Sequence, residues 1–187
     1  GQAAVLRALA RPVADLSVYR EKVSGIIAAV RQEGDPAVKR FTAAFDGVAL
    51  DSLRVPVEEI RRAGASIGQD LQNAIRGAAG NIRKFQRWTM QREEGCCIVQ
   101  KGVYCWQLKQ PIETVGLYIP AGSASLVSTV LMLAIPARLA GVKRIIVCSP
   151  PGKDGSVARS TLAACEILGI RDVFRIGGAQ AIAALAY

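Results

Sequence analysis

Histidine is absent from this 187-residue chain. Without an imidazole there is no Ser-His or Cys-His pair, and no side chain that exchanges protons near neutrality at its ordinary pKa. No C-x-x-C pair occurs among the five cysteines, at positions 96, 97, 105, 148 and 165. An odd count at irregular spacing reads as free thiols rather than as a disulfide framework. Cys148, ending an apolar strand, and Cys165, inside an apolar helix, are expected to be buried. Cys96, Cys97 and Cys105 lack a histidine to join them and are not read as a soft-metal site. No apolar run is long and uncharged enough to cross a bilayer. Gly1-Gln2-Ala3-Ala4 has neither the basic nor the apolar region of a signal peptide. No membrane partner is expected, and the cytoplasm is the expected compartment.

What is present is the balance of a globular protein, 51% hydrophobic and 21% charged, which is enough apolar material for one domain or one domain and part of another. The formal net charge is +9, yet its distribution does not point to nucleic acid. Residues 111–187 carry 7 Lys and Arg against 4 Asp and Glu, and residues 1–110 carry 17 against 11. The excess is spread along expected helices in short pairs such as Arg61-Arg62 and Arg83-Lys84. There is no basic tail and no interleaving of basic with aromatic residues. Solvated helix faces account for the charge, and no nucleic-acid partner is expected.

The first half reads as helical. Val23, Ile26, Ile27 and Val30 recur at helical spacing and Gly34 supplies a stop. Asp35-Pro36 restarts a helix, with Asp35 as the expected cap and Pro36 in the first turn. Val38, Phe41 and Phe45 mark its buried face until Asp46-Gly47 ends it. Leu53 to Val55 is a short extended piece, and Pro56 with Glu58-Glu59 opens another helix. The longest helix is expected from about Gln69 to Thr89, with Leu71, Ile75, Ala78, Ile82 and Phe85 as one apolar core stripe. A β-hairpin follows, Ile98-Val99 and Val103 to Leu108 around Gln100-Lys101-Gly102, with Trp106 expected to pack in the sheet.

After Gln110-Pro111 the pattern becomes strand, helix, strand, helix, strand, helix. Strands are expected at Thr114 to Ile119, Arg144 to Cys148 and Val173 to Ile176. Helices are expected at about Leu126 to Ala140, Ser156 to Leu168 and from Ala179, with Gly141 and Gly169 closing the first two and Pro136 kinking the first. The class is therefore α/β: a helical and hairpin region over 1–110, part of a first domain, then an incomplete Rossmann-like βαβαβα unit over 111–187. Ligands of such sheets bind beyond the carboxyl ends of the strands. Three loops lie there, covering residues 120–125, 149–155 and 177–180, each leading into a helix whose free N–H groups suit an anion. None contains G-x-G-x-x-G or G-K-[ST], and glycines serve equally for close backbone packing, so nucleotide site and structural turn both stand. Ser123, Ser125, Ser128 and Thr129 have no base and read as caps. Asp154 and Glu166 read as isolated, solvent-facing carboxylates, and Lys153 as a loop cation able to face a phosphate. Binding is within reach of these residues; catalysis is not.

The run Val115-Gly116-Leu117-Tyr118-Ile119-Pro120-Ala121-Gly122-Ser123-Ala124 resembles the start of the nucleotide-binding domain of the histidinol dehydrogenases. Ser128-Thr129-Val130-Leu131-Met132, Ala140-Gly141, Cys148-Ser149-Pro150-Pro151 and the stretch Gly177-Gly178-Ala179-Gln180 to Tyr187 extend the resemblance in order. It implies a zinc-dependent oxidation of L-histidinol to L-histidine with NAD, in the last steps of histidine biosynthesis, by a homodimer. Two NAD-contacting positions map onto matching motifs, Tyr118 and Gln180. A Tyr ring offers a flat face and a Gln amide offers both donor and acceptor. Two departures stand out: Ala121 replaces the first of two loop glycines, and Ser125 stands where proline is common. An alanine held at positive φ there would strain the turn.

The family's zinc ligands, its Glu-His acid/base pair and its remaining cofactor contacts lie beyond the part matched up to Tyr187. The resemblance thus implies a truncated, amino-terminal portion with no catalytic or metal ligand of its own. The alternatives are a free-standing nucleotide- or anion-binding or interaction module, and a relative acting on another small alcohol. The purified 187-residue chain, given L-histidinol, NAD and zinc, is expected to form no NADH; a histidinol-dependent rise in NADH absorbance would overturn this.

Overall fold

The computed structural model describes residues 15–90, 95–121 and 126–187. Four helices come first: α1 (Ser17–Glu33), α2 (Asp35–Asp46), α3 (Val57–Ser66) and α4 (Gln69–Met90). The hairpin strands β1 (Cys96–Gln100) and β2 (Val103–Trp106) follow. Then β3 (Thr114–Tyr118), α5 (Val127–Leu139), β4 (Arg144–Ser149), α6 (Arg159–Ile167), β5 (Asp172–Arg175) and α7 (Gly178–Ala186) alternate as the spacing predicts. The order β3-β4-β5 is parallel throughout, with Val115 opposite Ile145 and Val147 opposite Val173. The α/β class holds.

Successive residues of these strands serve different cores because strand side chains alternate in direction. Leu117, Ile145, Val147 and Val173 face one cluster together with Ile60 and Ala63 of α3 and Ile75 and Ala79 of α4. Tyr118, Ile146, Cys148 and Phe174 face the other, with Val30 of α1, Val38 of α2 and Ala181 of α7. Helices from before residue 111 therefore share both cores with the sheet. The extended piece around Arg54 joins it too, antiparallel to β5: the Val55 N–H donates to the Val173 carbonyl at 2.8 Å, and the Arg175 N–H donates to the Leu53 carbonyl at 2.7 Å. Arg54 and Arg144 both pair with Asp172 at that edge, at 2.7 and 3.1 Å.

Several local expectations change. Gly34, at φ 64°, is the residue preceding α2, and Asp35 lies inside the first turn without a side-chain cap bond. It still places negative charge at the positive end of the helix. Phe45 is 60% exposed and stacks on Phe41 rather than entering the core. The stripe on α4 narrows to Ile75, Ala79 and a half-buried Ile82, while Leu71, Ala78 and Phe85 face solvent. Helix α4 spans about 33 Å and its neighbour α5 about 20 Å, so Leu71 and Phe85 lie where α4 overhangs, while Ala78 is turned off the narrow buried face. Trp106 is 70% exposed. A two-stranded ribbon has two faces, and no described residue covers either. Glu166 is half-buried and paired with Arg171, five residues on, where the chain turns back after α6. Its stem lies over Gly64, where a Cβ would meet Glu166 Cγ at 2.7 Å, so α3 and α6 pack closely. Gly47, Gly141 and Gly169 all take positive φ where helices end, as the sequence indicates. Helix α5 runs through Pro136.

Ile60 of α3 is fully buried in the core that α3 shares with the sheet. Ile60→Ala is expected to cost about 3 kcal/mol. Because this position belongs to the same core as β3–β5, urea unfolding of the variant should remain one transition with a lower midpoint. A separate early transition with the sheet signal unchanged would contradict the shared core.

Candidate functional site

Gly116 is where the site begins. A Cβ there would stand 2.6 Å from Cδ1 of Leu185, so the bare backbone lets α7 settle directly on β3. That contact carries the amino end of α7 to the carboxyl ends of the strands, beside Tyr118 of β3 and Pro150, which follows β4. The two glycines preceding Ala179 make the approach possible. At Gly177 a Cβ would lie 2.9 Å from Pro150 Cβ and Cγ and 3.3 Å from Asp46 Oδ1. Gly178 adopts φ +60°, and a Cβ there would lie 2.6 Å from Gln180 Oε1. The Gly178 N–H donates to the Tyr118 hydroxyl at 3.4 Å.

Tyr118 and Gln180, singled out by sequence, thus meet around one residue, Gly178. Gln180 has no exposed surface, and neither its Oε1 nor its Nε2 has a hydrogen-bond partner. Leaving a buried amide unpaired costs about 1–3 kcal/mol. The same cost recurs in Asp46, whose Oδ2 is shielded and unpartnered. Burial pushes the Asp46 carboxyl above its ordinary range. Its position at the end of α2 adds to the cost, since the negative end of a helix disfavours a carboxylate. Three unsatisfied polar atoms, Gln180 Oε1, Gln180 Nε2 and Asp46 Oδ2, thus lie beside the close-packed Gly177, Gly178 and Pro150.

Sequence reasoning missed Asp46 and Pro150. Phe45-Asp46-Gly47 reads as a helix ending, and only the fold brings that ending to Gly177. Of the other candidates, Asp154 accepts bonds from the Ser156 N–H at 3.0 Å and hydroxyl at 2.7 Å. The Ser156 hydroxyl bond, then its backbone bond, hold the Asp154 carboxyl below its usual range, so it organises its own loop. Lys153 is exposed. Ala121 does not take positive φ, so the strain feared for the substituted loop glycine does not arise at that residue. Gly122, Ser123 and Ser125 lie outside the described residues, and α5 begins without a side-chain cap bond from Leu126. Cys148 and Cys165 are buried, and desolvation pushes both thiols up to about 12.

Asp46→Asn separates folding from function. A carboxyl whose folded pKa is raised binds its proton more tightly folded than unfolded, so it opposes folding once ionised. The opposition sets in as pH rises above the unfolded pKa and is complete above the folded one. The variant is therefore expected to melt higher than the parent at pH 7 and no higher at a pH below the carboxylate range, by calorimetry; equal melting at both would refute a buried charge. Alkylation at pH 8 is expected to label Cys96, Cys97 and Cys105 quickly and leave Cys148 and Cys165 untouched until denaturant is added, because the thiolate is the reactive form.

Comparison with known proteins follows the same lines. The family profile described as histidinol dehydrogenase matches residues 9–187. A histidinol dehydrogenase of Xanthomonas campestris pv. campestris (strain 8004) is 48% identical over 183 residues, 97% of this chain and 42% of that protein. One from Geobacillus kaustophilus (strain HTA426) is 47% identical over 174 residues, 90% of this chain and 39% of that protein. The crystal structure of histidinol dehydrogenase from Elizabethkingia anophelis superposes with a TM-score of 0.84 at 38% identity, over 94% of this chain and 40% of that one. The chain spans about two fifths of the length of the relatives it matches. Matched along nearly its whole length by sequence and by fold, the chain belongs to the histidinol dehydrogenase family.

Proposed function

We propose that this chain is the part of a histidinol dehydrogenase that holds NAD, serving the oxidation of L-histidinol to L-histidine. The observation that carries the reading is Gln180, fully enclosed with both amide atoms unpartnered, at the carboxyl end of a parallel sheet. A dinucleotide carries hydroxyls and an amide of the kind that these unsatisfied groups lack. When bound, NAD supplies the hydride acceptor for an alcohol oxidation.

The chain's own residues bind and orient. Gln180 gives one donor and one acceptor, and the Tyr118 ring gives an apolar edge while its hydroxyl holds the Gly178 amide. Gly177 lets Pro150 pack against backbone, and Gly178 turns its amide toward the Tyr118 hydroxyl. Zinc does not fit the described residues, among which no group of three or more His, Cys, Asp or Glu could hold a metal ion. The homodimer, the cytoplasmic setting and the absence of nucleic-acid partners belong to the same proposal, resting on the family and on the scattered charge. No helix among the described residues is long and apolar enough to cross a membrane.

Titration calorimetry with NAD, AMP and inorganic phosphate tests the reading. NAD and AMP are expected to bind, and Gln180→Met, which fills the space without the amide, is expected to weaken both about tenfold, the worth of one buried hydrogen bond of about 1.4 kcal/mol. No heat with NAD from the unsubstituted chain would sink the proposal, and heat with phosphate alone would favour a simple anion-binding module.

A further inference from the structure

Outside the cofactor site, the hairpin carries three exposed thiols that the proposed function does not use. Its register places Cys97 directly opposite Cys105, Cys96 opposite Trp106 and Ile98 opposite Tyr104. Directly opposed residues of an antiparallel pair project to the same face, with Cα atoms about 4.5 or 5.5 Å apart according to the hydrogen-bond pattern. Disulfides span Cα separations of about 4.4–6.8 Å, so either pattern suits one. Cys96, the next residue along, projects to the other face.

We propose that Cys97 and Cys105 are a thiol–disulfide pair, oxidised reversibly by a small-molecule disulfide such as oxidised glutathione. Both side chains are exposed, so the oxidant reaches them. The thiolate of one cysteine attacks a sulfur of the glutathione disulfide, forming a mixed disulfide and releasing one glutathione thiolate. The second cysteine's thiolate then attacks the protein sulfur of that mixed disulfide, closing the Cys97–Cys105 bond and releasing the second glutathione. Two electrons pass from the protein dithiol to glutathione, and the two thiol protons end on the two glutathione thiols. The register holds the second thiol against the first, which favours ring closure over a lasting adduct.

The bond acts on a weak point of the structure. A two-stranded ribbon is marginally stable at best. This one is exposed along both strands and shifts register between Ile98 and Gln100. A link at 97–105 lies beyond that irregularity from the turn and pins the strand pairing there. Oxidation therefore locks the hairpin, and reduction frees it.

The reduced chain, incubated in mixed oxidised and reduced glutathione and quenched in acid, provides the test. Thiols titrated in denaturant should fall from five to three. Trypsin cleavage after Lys101 separates the two halves, and one cross-link should join the Cys97 peptide to the Cys105 peptide. Cys96→Ser should keep that link, whereas Cys97→Ser should replace it with a glutathione adduct on Cys105. Amide exchange in the hairpin should slow on oxidation. A link through Cys96, a link between chains, glutathione adducts alone in the unsubstituted protein, or no loss of thiols would each overturn the pair. A correct link with unchanged exchange would overturn the locking.

Discussion

Val147 and Cys148 are neighbours in β4, and both are almost wholly shielded from solvent, on opposite faces of one sheet. A parallel sheet needs cover on both sides, and that requirement organises the protein. Helices α5 and α6 supply part of the cover on one face and α7 part on the other. The remainder comes from α1 to α4, which precede the sheet in sequence, and from the strand-like piece at Leu53 to Val55 that hydrogen-bonds to β5. Functional geometry follows from the same packing. Because α1 and α2 must cover the face that α7 also occupies, the end of α2 arrives at Gly177 and brings Asp46 with it.

The site is costly for the fold. Gln180 gives up hydration without gaining a partner, Asp46 keeps a carboxylate at the unfavourable end of a helix, and Gly178 sits in a conformation closed to most residues. Each is the sort of local defect that a folded chain retains when a ligand repays it. The glycines have a physical reason visible at each position: the Pro150 ring crowds Gly177, positive φ constrains Gly178, and a side chain at Gly116 would have to displace Leu185. Together they bring backbone and helix close enough for Tyr118 and Gln180 to share one place. The thiols divide in the same way. Those that help fill the core have lost their acidity to burial, and those on the hairpin keep access to solvent.

Much of this was legible beforehand. Alternating strand and helix signals after Pro111 define the parallel unit, glycines mark its turns, and ordered motifs around Tyr118 and Gln180 carry the family resemblance. Less legible were the positions whose state depends on what lies opposite. Phe45, Phe85 and Trp106 have the residue type of core and the exposure of surface, because helix ends overhang and the ribbon has no covering layer. Glu166 looks isolated along the chain until the turn after α6 returns Arg171 to it.

The sequence by itself determined the periodicities, the turns and the alternation of strand and helix that implies a parallel sheet, since these rest on residues close in the chain. Through the family resemblance it also offered Tyr118 and Gln180 as candidate cofactor contacts. Only the tertiary structure decided that the two meet at Gly178, that Asp46 joins them from far earlier in the chain, and that Cys97 faces Cys105. Such pairings are set by how faces pack and how strands register, and neither is encoded in the neighbours of any one residue.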